Sequence, residues 1–174
     1  MAASSLIGGP GDDVFDVVAS DVTIVEAADG GIDTVRASVD FALPDNVENL
    51  ILLEPARAGL GNALANTITG NALDNWLRGG GGADRLFGGA GNDTFVASAA
   101  QLATGGLIDG GEGTDTLEID GYATADLSGI DLSGIEAVEA AGTVRMTAAQ
   151  AAALRSINVG TLEIVSAGDI DLAD

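Results

Sequence analysis

The sequence predicts an all-β protein in which short parallel strands stack into a right-handed β-solenoid. Residues 61–96 consist of four nine-residue units without a gap, which read GNALANTIT, GNALDNWLR, GGGGADRLF and GGAGNDTFV. The chain also contains 26 glycines in 174 residues, and aromatic residues make up only 3% of it. A fixed short period with glycine-rich turns and small aliphatic residues indicates one structural unit stacked on copies of itself around a thin core.

The composition restricts the chemistry that this chain can perform. The net charge of -21, with 27 acidic and 6 basic residues, disfavours nucleic acids and anionic membranes as partners. The absence of cysteine, histidine and lysine excludes the nucleophiles, Schiff bases and zinc sites that those residues form. Oxygen ligands remain, and these select calcium or magnesium. The sequence shows no cleaved signal peptide and no run of about 18 apolar residues that would span a membrane.

Each unit divides into a six-residue turn and a three-residue strand. In residues 88–96 the leading glycines allow a tight turn and close approach of the backbone to an ion. The last three residues can form a short strand, in which neighbouring side chains alternate between the two faces. Phe95 is therefore predicted to point into the core, whereas Thr94 and Val96 are predicted to point outward.

Two units complete one turn of the coil, so equivalent residues stack every 18 positions. Asn66 is then expected beside Asp84 on one edge, and Asn75 beside Asp93 on the other. A cation between successive turns would contact a sixth-position side chain from each turn and several carbonyl groups. About six oxygen ligands of this kind suit calcium. A simpler interpretation is that these aspartates only form turns by bonding their own backbone.

The units resemble those of the RTX (repeat-in-toxin) family of secreted bacterial proteins, whose nonapeptide reads GGxGxDxUx, with U a large apolar residue. Residues 8–16, 79–87, 88–96 and 110–118 satisfy this pattern completely. The resemblance implies a parallel β-roll that binds calcium in its turns. It also implies export by a type I secretion system, folding outside the cell, and a place in the extracellular space or on the surface of a Gram-negative bacterium.

The resemblance and the spacing together give a set of candidate metal ligands. They are turn glycines, whose carbonyl groups face the ion, and the polar residues of the turns. The candidates are Gly9, Gly11, Asp13, Glu26, Asp33, Asn66, Asn75, Gly80, Gly82, Asp84, Gly89, Gly91, Asp93, Asp109, Gly111, Gly113 and Asp115. Asn66 and Asn75 are neutral, so their turns are expected to bind calcium weakly or not at all. The array is expected to stop after Val96, and Asp109 and Asp115 are expected to complete a site from the following loop.

The rest of the chain is divided by composition into flanking regions. Residues 1–60 are predicted to form an N-terminal β cap with outlying RTX-like units, and residues 61–118 the β-roll with its calcium loop. Residues 119–174 are predicted to form a C-terminal β-solenoid-like region without the calcium turn. One short helix is expected near residues 147–154, with Thr147 as its N-cap. One further helical turn is expected at 99–102.

The function predicted from these features is a non-enzymatic calcium-binding module of an exported bacterial protein, with no catalytic residues. Two alternatives stay open: a surface-layer or adhesin segment that assembles with calcium, and a carbohydrate-binding accessory module of an extracellular enzyme. Self-association or attachment to the cell surface belongs to the first, and a groove that gathers arginines would mark the second. Trp76 and Phe87, at outward positions, are predicted to be covered by flanking segments, or else to form an exposed partner-binding patch.

Overall fold

The computed structural model describes residues 4–102 and 105–165, which form a stack of parallel strands with about eight coil turns. Only 6% of the described residues are helical. Residues 166–174, the end of the region predicted to be C-terminal β-solenoid-like, lie outside the described residues. The predicted all-β solenoid, consistent with a β-roll, is therefore confirmed.

Strands are short and follow one another closely along the described chain. Those up to the end of the second tandem unit are β1 Ser4–Ile7, β2 Val14–Val17, β3 Val22–Val25, β4 Thr34–Ala37, β5 Phe41–Ala42, β6 Asn49–Leu52, β7 Ala58–Leu60, β8 Thr67–Thr69 and β9 Trp76–Arg78. The later strands are β10 Arg85–Ala90, β11 Thr94–Ser98, β12 Gly106–Glu112, β13 Thr116–Asp120, β14 Ala125–Asp126, β15 Ile130–Ser133, β16 Ala137–Thr147 and β17 Ser156–Val165. Two helices, α1 Ala99–Leu102 and α2 Ala148–Ala153, interrupt the strands.

The chain alternates between two parallel sheets as it winds. Sheet I contains, in spatial order, β15, β12, β10, β8, β6, β4 and β2. Sheet II contains β14, β16, β13, β11, β9, β7 and β5, and β17 pairs with β16. β1 and β3 form a separate two-stranded parallel sheet. From β4 to β13 the strands alternate strictly between the two main sheets, so each turn of the coil adds one strand to each sheet there.

Inward residues stacked in two columns form the centre of the core between the sheets. The inward column of sheet I contains Phe15, Val35, Leu50, Ile68, Leu86 and Ile108. The inward column of sheet II contains Leu77, Phe95, Leu117 and Val138. All of these side chains are buried, and Phe95 is fully buried, as predicted. The regular repeat stacks like residues on like, which is how a thin core of small aliphatic residues excludes water.

The nonapeptide array ends at Val96, but the coil continues beyond it. β11 pairs with β13 in continuous register, and the intervening turn is 22 residues long instead of 18. The four extra residues (22 − 18) accommodate α1, which confirms the helical turn predicted at 99–102. Val96, predicted to point to solvent, is only 4% exposed, and it lines a small cavity together with Leu102 of α1.

The C-terminal part of the described chain continues the same parallel ladder through β13, β16 and β17. Helix α2 begins after Thr147, whose hydroxyl accepts a hydrogen bond from the Gln150 backbone N–H, as in a capping box. The short helix and its N-cap are thus as predicted. No helix within residues 4–102 and 105–165 is long and apolar enough to cross a membrane.

Candidate metal centres

Polar residues stack along the two edges of the coil, each two positions before an inward core residue. Column I, at the turns that enter sheet I, consists of Asp13, Asp33, Glu48, Asn66 and Asp84. Column II, at the turns that enter sheet II, consists of Asn75, Asp93, Asp115 and Glu136. The structure thus brings the predicted sixth-position residues together, one above another. Glu48 and Glu136 are additional members that the repeat pattern missed.

A carboxylate oxygen in each column accepts a hydrogen bond from the backbone of the preceding turn. In column II the N–H groups of Asn75 and Asp93 donate to Oδ1 of the next aspartate, each at 2.7 Å. The Asp115 N–H donates to Glu136 Oε2 at 2.9 Å. Because these bonds join successive turns, the aspartates do more than close their own turns. The carboxylates are oriented by the coil itself.

Equivalent bonds occur in column I. The Asp13 N–H donates to Asp33 Oδ1 at 2.8 Å, and the Asp33 N–H donates to Glu48 Oε2 at 2.9 Å. The Asn66 N–H donates to Asp84 Oδ1 at 2.9 Å. Glu48 and Glu136 were missed because they do not stand in a complete nonapeptide. An acidic residue two positions before an inward aliphatic residue is the signal that would have found them.

The second carboxylate oxygens of Asp93 and Asp115 are buried without a hydrogen-bond partner. Both residues are at most 1% exposed. A buried carboxylate oxygen without a donor is costly. Burial, with smaller contributions from the charges of Asp115 and Asp74, accordingly raises the pKa of Asp93 to about 6, against the hydrogen bond from the Asn75 backbone. Burial likewise raises the pKa of Asp84 and of Asp115.

Backbone carbonyl groups converge on the same small spaces. A Cβ atom at Gly88 would collide with Asp93 Oδ2 and with the Gly110 carbonyl oxygen, so these two oxygens face one gap between turns. Gly111 and Gly113 have φ of 95° and 143°, and a side chain at either would collide with the carbonyl group of Gly89 or Gly91. Only glycine fits there. Orphaned carboxylate oxygens with nearby carbonyl oxygens form a donor set that fits calcium.

Residues 60–95 match the family model of the RTX calcium-binding nonapeptide repeat, in four copies. These residues are RTX repeats. The match begins and ends within one residue of the four units found by their period. The stacked columns, the glycine turns and the parallel ladders are therefore the architecture of a calcium-binding repeat family.

Two proteins that are similar to this chain over its repeat region are endo-1,3-1,4-beta-glycanases of Rhizobium meliloti (strain 1021). ExsH is 38% identical over 64 residues, which is 37% of this chain and 14% of the relative. EglC is 33% identical over 65 residues, again 37% of this chain and 14% of the relative. The matched segment thus spans about one seventh of each glycanase. No solved structure gives a significant match.

In the first two RTX units, side-chain amide groups donate hydrogen bonds to backbone carbonyl groups around the turns. We name residues 61–66 and 70–75 the amide turns, because asparagine occupies positions two and six in both. Asn62 Nδ2 donates to the carbonyl oxygens of Pro44 and Val47, each at 2.7 Å, and Asn71 Nδ2 donates to that of Ala56 at 2.7 Å.

The sixth-position asparagines of the amide turns add to these contacts. Asn66 Nδ2 donates to the carbonyl oxygens of Val47 and Glu48, each at 3.2 Å. Asn75 Nδ2 donates to Asn71 Oδ1 at 3.2 Å. Carbonyl groups of the preceding turn are thus already bonded, without a cation. The prediction that Asn66 and Asn75 ligate calcium stays untested.

The later RTX units lack these amides. We name residues 79–84, 88–93 and 110–115 the carboxylate turns, because glycine occupies position two and aspartate position six in each. The predicted carbonyl donors Gly80, Gly82, Gly89, Gly91, Gly111 and Gly113 lie here, and Gly9 and Gly11 lie in the turn before β2. All of them except Gly9 have positive φ.

Asp84 and Asp109 differ from the other predicted aspartates. Asp84 is half-buried, and among the described residues the next turn places Gly106, instead of a carboxylate, beside it in column I. Asp109 lies in β12, in register with Phe87 of β10, and therefore on the outer face of sheet I instead of in a column. The negative charge of Asp109 helps to raise the pKa of Asp115.

The outward aromatic residues of the RTX units lie on different sheets. Trp76 is 37% exposed on the outer face of sheet II. Phe87 is half-buried on the outer face of sheet I, where the Arg85 guanidinium lies 5.7 Å from its ring centroid. Flanking segments therefore cover neither ring completely, and the two do not form one patch.

Proposed function

We propose that this chain is a calcium-binding RTX module of an exported bacterial protein, which folds when it meets calcium outside the cell. The observation that supports this most strongly is the pair of buried, partnerless oxygens on Asp93 and Asp115. They lie in successive turns of column II beside the carbonyl groups of glycines. We assign calcium to the gaps between the carboxylate turns, with Glu136 closing the last of them.

The physics of the apo chain favours a switch. The net charge of -21 repels itself in the compact state, and the glycine-rich turns lose much conformational entropy when they order. A calcium ion supplies the positive charge that the columns lack and binds only the folded turns, so folding follows calcium by mass action. Extracellular modules bind calcium with dissociation constants of roughly 0.1 to 1 mM. Sites of that strength are empty in cytosol and filled outside.

The module itself is proposed to be non-enzymatic. The glycanase relatives share only the repeat region with this chain. The residues of that region form the turns or pack in the core. Their names nevertheless suggest a setting: an RTX module attached to a protein that acts on extracellular glycans. Type I export fits this setting, since the unfolded, calcium-free chain can be threaded through a channel.

Circular dichroism during a calcium titration tests the folding switch. We expect the β signal to rise from a partial to its full value at roughly 0.1 to 1 mM calcium, and not with equal magnesium, whose octahedral shell fits carbonyl-rich turns poorly. The double variant D93N/D115N should need far more calcium. D131N, which removes one exposed charge on the outer face of sheet I, is the matched control and should behave like wild type.

Three results would count against the proposal. A full β signal in excess chelator would contradict the calcium-dependent folding switch. An equal response to magnesium would contradict the proposed preference for calcium. An unchanged titration of D93N/D115N would remove the assigned sites. Sedimentation of the calcium-bound protein over a range of concentrations separates the module from the assembly alternative, because only an assembling segment gains mass with concentration.

A further inference from the structure

Three carboxylates from separate parts of the N-terminal region meet outside the matched repeats. Oxygen atoms of Asp13, Glu26 and Asp33 all lie within 4.8 Å of one another. Glu26 is 8% exposed and Asp33 is fully buried. Within the described ranges, 4–102 and 105–165, no arginine lies within ion-pair distance of any of the three.

Hydrogen bonds hold one oxygen of each carboxylate and leave others facing the cluster. Asp33 Oδ1 accepts the Asp13 N–H at 2.8 Å, and Glu26 Oε1 accepts the Ala27 N–H at 2.8 Å. Glu26 Oε2 and Asp33 Oδ2 are buried and have no partner. Two buried anionic oxygens without donors, beside a third carboxylate, form a cluster that lacks a positive charge.

The backbone leaves space around Glu26 that only glycine permits. A Cβ atom at Gly8 would collide with Glu26 Oε2, and one at Gly30 would crowd Glu26 Oε1. Gly8 also lies next to Asp13, since its Cβ would be 3.0 Å from Asp13 Oδ2. Glu26 is therefore enclosed between two glycines and directed at the aspartates.

The geometry points to a separate calcium site, formed by Asp13, Glu26 and Asp33, that fastens the N-terminal cap to the first coil turns. Gly8 and Glu26 directly follow β1 and β3, and Asp13 and Asp33 directly precede β2 and β4. One ion at this position joins the two-stranded sheet to sheet I. Three negative charges and hard oxygen ligands select a divalent cation, and the open, irregular arrangement suits calcium better than magnesium.

Calcium stoichiometry of the full chain tests this site. E26Q keeps the size and the Oε1 acceptor of Glu26 but removes the charge, so we expect it to bind one calcium ion fewer by titration calorimetry. E139Q, which neutralises an exposed glutamate on the outer face of sheet II, should keep the wild-type number. Terbium luminescence, competed with calcium, provides a second count.

Hydrogen exchange tests which segments the proposed ion stabilises. In saturating calcium, E26Q should lose protection in residues 4–17 and 22–25, and keep it in residues 106–120. In chelator, wild type and E26Q should exchange alike in residues 4–17, because the cluster is then empty in both. G8A, which displaces the Glu26 carboxylate, should reproduce the E26Q pattern.

The results separate this site from the proposed function of the repeats, on which it does not rest. Unchanged stoichiometry and unchanged protection of residues 4–17 in folded E26Q would overturn it, whatever the repeats bind. Loss of protection in E26Q in chelator as well as in calcium would also overturn it, since that result marks a purely structural glutamate. Loss of one ion in E26Q beside an unaffected D93N/D115N variant would support it while contradicting the repeat sites.

Discussion

The amide turns and the carboxylate turns occupy equivalent places in the coil but satisfy their polar groups by different means, and positions two and four have positive φ only in the carboxylate turns. In the amide turns, Asn62 and Asn71 donate hydrogen bonds to carbonyl groups of the turn before. In the carboxylate turns, glycine stands at the same position, and oxygens of Asp93 and Asp115 are left without donors. The first arrangement is complete without an ion, whereas the second leaves negative charge and lone pairs that an ion must satisfy.

This difference indicates that calcium dependence is distributed unevenly along one regular coil. Each side-chain amide bond to a buried carbonyl contributes about 0.5–1.5 kcal/mol without any ion. A carboxylate turn gains its stabilisation only when the cation is present, because burying like charges alone is unfavourable. The amide turns can therefore serve as a preformed base on which the carboxylate turns wind when calcium arrives.

The largest expected effect is regional unfolding on chelation. Calcium at a hundredfold its dissociation constant stabilises the folded state by about 2.7 kcal/mol per site, which is about a hundredfold in exchange protection. In chelator, residues 106–120 should therefore lose far more protection than residues 49–78, as measured by hydrogen–deuterium exchange with mass spectrometry. Equal loss in both segments would show that the two kinds of turn do not differ.

A reciprocal exchange of side chains in column II should change stability in opposite directions. N75D places a charge where the Asn75 amide now donates, so in chelator we expect a loss of about 2–3 kcal/mol in the free energy of unfolding. D93N relieves repulsion with Asp115 and should be neutral or stabilising in chelator, but should bind less calcium. Urea denaturation with and without calcium measures both variants, and shifts of the same sign would contradict the comparison.

Removal of one amide should cost stability without regard to calcium. N62A loses the bonds to the Pro44 and Val47 carbonyl groups, and we expect a loss of about 1–2 kcal/mol. Because these bonds involve no ion, the loss should be equal in chelator and in calcium, again by urea denaturation. A loss that appears only in calcium would mean that Asn62 supports a metal site.

The smallest expected effect is a pH dependence confined to the carboxylate turns. The pKa of Asp93 is raised to about 6 in the folded state, from about 3.9 in an unfolded chain. Its protonation therefore stabilises the calcium-free fold most below about pH 4, and that stability is lost as pH rises through about 6. Urea midpoints of the apo protein should rise from pH 7 to pH 5, and D93N should reduce this rise.

Calcium affinity should have the reverse pH dependence, because the proton and the ion compete for Asp93. A titration at pH 5 should need more calcium than one at pH 7. D131N, which removes an exposed carboxylate on the outer face of sheet I, provides the control for general charge effects. An affinity that is flat between these pH values would exclude Asp93 as a ligand.

The repeat period predicted the positions that lie inside regular units but not those that depend on segments of other lengths. The period predicted Phe95 in the core and Asp93 in a turn, because both follow from local alternation. It did not predict that Val96 is buried, since α1 covers it from a neighbouring insertion. Nor did it find Glu48 and Glu136, whose turns have different lengths from the repeat but reach the same columns.

The sequence by itself determined the unit, the parallel solenoid and the chemistry of the turns, because a strict period of nine allows only one way to stack glycine turns on short strands. Tertiary structure alone decided which polar atoms are left without partners. Asp13, Glu26 and Asp33 are distant from any tandem array, and only the pairing of β1 with β3 and of β2 with β4 brings them together. Coordination depends on distances between turns, and a linear pattern does not contain those distances.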